Sequence, residues 1–236
     1  CQPPHPSPLT LLVPMNLTNP SASIYIPSGE VTEAALPRIT HLGIGAHQDD
    51  LEFMAFHGIE ACYRQKEKWF GGITCTNGAG SSRTGLYRDY SDAEMCEVRR
   101  HEQEQAAMVG EYAAMIQLDY ASSSMKDASN PSPGEDLQAI LEATRPEVIY
   151  THNLADKHAT HIAVTAAVLK ALRTLPPEAR PQQVLGCEVW RGLDWMLDPD
   201  KTLLDVSGRP NLAAAIGGIF DSQIAGGKRY DLAVQG

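Results

Sequence analysis

Residues 40–52, Thr-His-Leu-Gly-Ile-Gly-Ala-His-Gln-Asp-Asp-Leu-Glu, constrain the fold more than any other stretch of this chain. An apolar run padded with glycine and alanine breaks at once into a histidine and two adjacent carboxylates. The run fits a buried strand, and residues 52–63 show the apolar recurrence of a helix packed on a sheet. Strand, sharp turn and helix then place His47, Asp49 and Asp50 at the carboxyl end of a strand, where open α/β sheets put their ligands. Gly43-Ile44-Gly45 begins a dinucleotide fingerprint, but Gln48 occupies its third glycine position and two carboxylates would repel a pyrophosphate. No acidic residue closes the next strand, residues 71–77, to hold a ribose. A helix cap explains one aspartate; it does not explain His-x-Asp-Asp. An imidazole and a carboxylate three residues apart on one turn can both face a metal while the neighbouring aspartate stays free for chemistry.

Strands continue to alternate with helices. The strand at 71–77 runs into a Gly- and Ser-rich loop, residues 77–90, which lacks the G-K-[ST] ending of a phosphate-binding loop. Residues 92–109 read as a helix stopped by Gly110, and Arg99 and Glu102, three apart on it, are expected to pair within the helix. A strand at 114–118, a helix at 135–143 and a strand at 147–151 follow. This order predicts the α/β class, a Rossmann-like, mostly parallel sheet with helices on both faces. Residues 1–37, rich in Pro, Ser and Thr, read as an N-terminal arm with an edge strand at 22–26. Residues 38–236 read as one catalytic domain, because 236 residues that are 43% hydrophobic and 20% charged make one large core rather than two.

A formal net charge of −10 argues against nucleic acid or an anionic membrane surface as partner. A small-molecule substrate is expected, no apolar run is long enough for a membrane span, and a homo-oligomer stays open. The five cysteines are odd in number, with no C-x-x-C spacing, and read as free thiols in a reducing compartment. A cytoplasmic protein is the expectation; a lipid-anchored one, processed at Cys1, is the alternative.

The strand at 147–151 runs into Thr-His-Asn-Leu-Ala-Asp-Lys-His-Ala-Thr-His, residues 151–161, and then a helix rich in Ala and Val to about residue 175. Asp156 is a natural N-cap for that helix, and His158 and His161 would project from its first turns toward the carboxyl edge of the sheet. His47, Asp50 and His161 can thus converge from two strand ends. Two histidines and a carboxylate leave zinc an open position, the mark of a catalytic rather than a structural site.

At these residues the sequence resembles the PIG-L/LmbE-like de-N-acetylases, zinc hydrolases that remove acyl groups from N-acetylglucosamine conjugates. The motif A-H-P-D-D-x-E reads here as Ala46-His47-Gln48-Asp49-Asp50-Leu51-Glu52, and D-x-H-x-D-H as Asp156-Lys157-His158-Ala159-Thr160-His161. An R-x-x-E helix matches Arg99 and Glu102, and a late S-Q matches Ser222 and Gln223. The resemblance implies an LmbE-like fold, Zn2+ on His47, Asp50 and His161, Asp49 as general base and His158 as transition-state stabiliser. The implied activity is removal of an N-acetyl group from an N-acetylglucosamine-type amino sugar or its conjugate. The alternatives are an amidase of another small sugar or thiol conjugate and a non-catalytic sugar-binding protein. Gln48 stands where the motif has proline, and Thr160 where it has aspartate; the second change predicts a missing orienting bond on His161 and altered metal affinity. Candidates for binding substrate are Arg83, Arg99, Asp156, Trp190 and Gln223, with Arg191, Asp194 and Trp195 beside Trp190.

Overall fold

The computed structural model describes residues 15–189 and 193–233. Its elements run β1 (Ser23–Tyr25), α1 (Thr32–Ala35), β2 (His41–Gly45), α2 (Asp50–Met54), α3 (Phe56–Cys62), β3 (Phe70–Thr76), α4 (Asp92–Val109) and β4 (Ala114–Tyr120). They continue as α5 (Ser122–Lys126), α6 (Ser132–Thr144), β5 (Val148–His152), α7 (Ala159–Thr174), β6 (Gln183–Cys187), α8 (Pro210–Gly217), α9 (Asp221–Ile224) and α10 (Tyr230–Ala233). The strands form one sheet in the order β1-β4-β3-β2-β5-β6. Strands β2 to β6 pair in parallel and β1 pairs antiparallel with β4, so the sheet is Rossmann-like and mostly parallel. From β2 the chain steps outward through β3 and β4, then returns to lay β5 on the other edge of β2. The winding reverses between β2 and β5, which is where a crevice opens beyond the carboxyl ends of the strands.

Side chains along the strands alternate between two apolar layers, as a period of two requires. Leu42, Ile44, Ile73, Ile116, Leu118 and Ile149 pack with Leu137, Ile140, Val164 and Val168 of α6 and α7. On the opposite face Phe70, Met115 and Tyr150 pack with Leu51, Met54, Ile59 and Ile216 of α2, α3 and α8. A Cβ at Gly43 would come within 2.8 Å of Phe70 Cζ and 3.0 Å of Leu51 Cδ2, and one at Gly45 within 3.1 Å of Asp50 Cβ. Bare glycine there lets α2 lie close enough to β2 to hold Asp50 over the strand end.

Where the sequence predicts one helix over 52–63, the structure has two, broken at Ala55 (φ −112°, ψ 14°). Each half makes its own close approach to the sheet: α2 over the glycines of β2, and α3 through Gly58, whose Cβ would lie 2.6 Å from Tyr150 Cε2. Helix α4 has the predicted bounds, opened by a capping box of Ser91 and Glu94 and closed at Gly110. Residues 15–37 are bonded into the sheet layer. Thr18 donates its N–H and hydroxyl to Asp136 Oδ1 at 2.6 and 2.8 Å, and Asn19 Nδ2 donates to Leu118 O at 2.7 Å.

Candidate metal and catalytic site

The turn between β2 and α2 is held from several sides. Asp50 Oδ2 accepts the N–H groups of Ala46 and His47 at 3.1 and 2.7 Å, which folds the carboxylate back over the strand end. Asp49 adopts a left-handed backbone at φ 95°. Its N–H donates to Gln103 Oε1 at 3.1 Å, and Gln103 is itself oriented by donating Nε2 to the buried Glu52 at 2.8 Å. Arg99 Nη2 donates to Gln48 O and, at 3.1 Å, to Asp49 Oδ2. The Tyr230 hydroxyl donates to that same Oδ2, and Lys228 Nζ approaches it at 3.6 Å. Asp49 is therefore anchored through one oxygen, and Oδ1 takes none of these bonds.

Three ligand atoms face one another beside it. His47 Nδ1 lies 3.3 Å from Asp50 Oδ2, His161 Nε2 lies 3.6 Å from Asp50 Oδ2, and the two ring nitrogens are 3.3 Å apart. A tetrahedral zinc with bonds of about 2.0–2.1 Å separates its ligands by about 3.3–3.4 Å, so this triangle has the right edge length. His161 donates Nδ1–H to Asp156 Oδ2 at 2.9 Å, which fixes the tautomer and leaves Nε2 as the electron-pair donor. Asp156 is not the cap of α7. That place is taken by His158, whose N–H donates to Asp156 Oδ1 at 2.8 Å. One carboxylate thus fixes both histidines. The orienting bond that Thr160 was expected to withhold comes from Asp156, while Thr160 itself is buried.

The ring of His158 stands 4.9 Å from that of His47 and 4.4 Å from that of His161, so His47, His158 and His161 form a group with ligand spacing that could hold a metal ion. His152, the last residue of β5, was not singled out from the sequence. Its ring stacks on His161 at 3.8 Å, and Asp50, His152 and His161 form a second group with ligand spacing. His152 Nε2, however, accepts the Ala46 N–H at 2.9 Å, which occupies the lone pair a metal needs. We place it as a support behind Asp50 and His161. Its position at a strand's carboxyl end, beside β2, was the available signal. Tyr230 had none, because a single tyrosine far along the chain has no informative spacing.

Burial and charge tune these groups unequally. Burial pushes His47 down, but the adjacent Asp50 carboxylate outweighs it and the net shift is upward. Burial also pushes Asp50 up, and the imidazoles of His152 and His47 reverse this, holding it well below the usual carboxylate range. Burial lowers His161, and burial with the charges of His161 and His47 lowers His158, so both favour the neutral ring. Burial raises Glu52 to about 7.

A cleft of about 650 Å³ lies over this turn, lined by His47, Asp49, Asp50, Arg99, Asp156, His158, His161 and Gln223 among others. The structure thus brings together all five predicted catalytic and metal residues and three of the substrate candidates. Arg99 is committed: Nη1 donates to Glu102 Oε2 at 2.7 Å and to Ser222 Oγ at 3.2 Å. Arg83 is not part of the lining, since it donates to Ala79 O at 2.9 Å and pairs with Asp92, tying its own loop to α4. Trp190 and Arg191 lie outside the described residues.

A family model described as PIG-L, GlcNAc-PI de-N-acetylase, matches residues 42–172. No curated protein matches the sequence. Among solved structures, N,N'-diacetylchitobiose deacetylase from Pyrococcus horikoshii superposes with a TM-score of 0.62 at 15% identity, covering 88% of this chain and 80% of that one. GalB, the 4-carboxy-2-hydroxymuconate hydratase from Pseudomonas putida, gives 0.61 at 16% identity over 82% and 83%. The conserved protein TT1542 from Thermus thermophilus gives 0.59 at 16% identity over 83% and 84%. At these identities the likeness establishes the fold, which carries both deacetylase and hydratase activities.

Proposed function

This chain belongs to the PIG-L (GlcNAc-PI de-N-acetylase) family, and on that premise we propose that it is a zinc-dependent hydrolase removing an N-acetyl group from an N-acetylglucosamine-type amino sugar or its conjugate. The observation that carries this reading is the triangle of His47, Asp50 and His161, with a separate carboxylate anchored beside it by one oxygen only. Zinc on that triangle would polarise the amide carbonyl and bring the pKa of a bound water from 15.7 to roughly 7. Asp49 Oδ1 takes the proton of the attacking water and returns it to the departing amine. His158, exposed at the start of α7 and favouring its neutral form, donates a hydrogen bond to the oxygen that becomes negative. Asp156 holds the His161 imidazole through Oδ2 and the His158 backbone N–H through Oδ1, which fixes where both residues sit at the start of α7.

The test is release of free amine from N-acetylglucosamine and a panel of its conjugates by zinc-loaded protein, beside Asp49→Asn. The variant should bind zinc with unchanged stoichiometry and lose at least about a hundredfold in turnover, the usual contribution of a positioned general base. Near-normal turnover by Asp49→Asn would remove Asp49 from that role. Because a hydratase shares the fold, the amine is the product to follow.

A further inference from the structure

We propose that Gln48 is a positioning residue for Asp49, doing with its side chain what a fixed backbone angle would otherwise do. The inference deepens the deacetylase reading and rests on it for the role of Asp49. Gln48 stands one residue before the proposed base, where the motif has proline. Proline locks φ near −65°; glutamine leaves that rotation free just ahead of a residue held at φ 95°. Such a turn needs another fastening, and the structure supplies one. Gln48 is 2% exposed. Its Nε2 donates to Thr76 O, at the end of β3, at 2.9 Å and lies 3.4 Å from Gln117 Oε1 on β4. Gln117 Nε2 in turn donates to Arg100 O on α4 at 3.1 Å. The side chain thus ties Gln48 to the sheet, while the peptide that follows it is held by α4 from both ends, its C=O by Arg99 and its N–H by Gln103.

Two further observations separate this from ordinary packing. Gln48 Oε1 is buried and accepts no hydrogen bond among the described residues. A buried carboxamide oxygen without a donor is costly, and a methionine of the same length would avoid it. A polar group retained there is retained for the bonds that Nε2 makes. The second observation is Gly78, which lines the cleft with a positive φ of 75°. A Cβ at Gly78 would come within 2.8 Å of Gln48 Oε1 and 2.9 Å of Arg99 Cβ, so the 77–90 loop passes against Gln48 and Arg99 with no room for a side chain between. Gln48 therefore sits where the proposed base, β3 and the loop that walls the cleft all meet, and a shift of about 1 Å there would turn Asp49 Oδ1 away from the attacking water.

Substitutions that remove these bonds, and one that replaces them, test the assignment. In Gln48→Met, and in Gln48→Asn, which keeps the carboxamide on a shorter stem, kcat for amine release should fall about tenfold or more with KM and bound zinc within about twofold. Crystal structures of both variants should show Asp49 Oδ1 displaced by about 1 Å or more. Gln48→Pro, with its φ fixed, should keep Asp49 in place and hold kcat within about threefold of the unaltered enzyme. An Asp49 that stays put in Gln48→Met and Gln48→Asn, whatever the rate does, would overturn the proposal, as would Gln48→Pro losing as much as Gln48→Met. If the unaltered enzyme releases no amine from any sugar in the panel, the deacetylase reading fails instead, and the displacement of Asp49 still decides the role of Gln48.

Discussion

Asp49 holds a left-handed backbone, a conformation that costs roughly 1–2 kcal/mol in a residue with a Cβ, and its neighbours on α4 and α10 keep it there. Gln103 takes its N–H, while Arg99 and Tyr230 share one carboxylate oxygen. The strain therefore sits at the proposed base, where its use is to aim Oδ1. Tyr230→Phe keeps the ring packed 4.7 Å from Phe53 and 6.4 Å from Phe220 and removes only the hydroxyl. We expect kcat to fall about ten- to a hundredfold with KM and thermal midpoint nearly unchanged; steady-state kinetics and a melt would show otherwise if Tyr230 only packs. Asp156→Asn should weaken zinc binding about ten- to a hundredfold, read by competition with a chromogenic chelator, and unchanged affinity would mean that His161 is oriented without it. That His47, Asp49, Asp50, His158 and His161 gather at one cleft was legible in the sequence, because two short motifs follow strands whose carboxyl ends lie side by side. Asp156 was legible as a residue but not in its role, since the bend that turns its two oxygens toward two histidines is a feature of the turn and not of the spacing.

At the scale of elements, α4 fastens the site to the rest of the fold. Arg99 on this helix joins the β2–α2 turn to α9, where Ser222 donates its N–H and hydroxyl to Glu102 at 2.7 and 2.8 Å. The expected pairing of Arg99 with Glu102 is present, but the guanidinium also reaches Asp49 and Gln48, which no periodicity announces. Arg99→Leu would leave Glu102 and Asp49 as buried charges without their partner, at a cost of about 3–5 kcal/mol. Urea unfolding should show that loss together with lost activity, and a cost under about 1 kcal/mol would mean that water or Lys228 replaces the guanidinium. The strands and α4 were readable because their apolar periods run long enough to be unambiguous. The break at Ala55 was not, because it answers to contacts of Gly43, Gly45 and Gly58 with residues distant in sequence.

For the molecule as a whole, stability should depend on pH through His41, buried at the start of β2. Burial, then the charge of Lys68, lowers its pKa from the ordinary value near 6.5. The unfolded chain therefore takes up the proton first on acidification. The stabilisation is complete above about pH 6.5 and drains away as the pH falls through the folded value. Urea midpoints of chelator-treated protein should drop between about pH 7.5 and 5, and drop less in His41→Gln; equal slopes would remove His41 as the cause. Among the described residues no helix is long and apolar enough to cross a membrane, and the mostly parallel sheet expected from the alternation of strands and helices is the one observed. The reach of Tyr230 back to Asp49 also sets an order in time. During synthesis His47, Asp50 and His161 have all been made by residue 161, whereas the Tyr230 hydroxyl that bonds Asp49 follows about seventy residues later, several seconds behind at about 5–20 residues per second. On the proposed reading a nascent chain can hold His47, Asp50 and His161 together before Tyr230 is available to fix Asp49, so the segment around Tyr230 completes a site that earlier residues have already assembled.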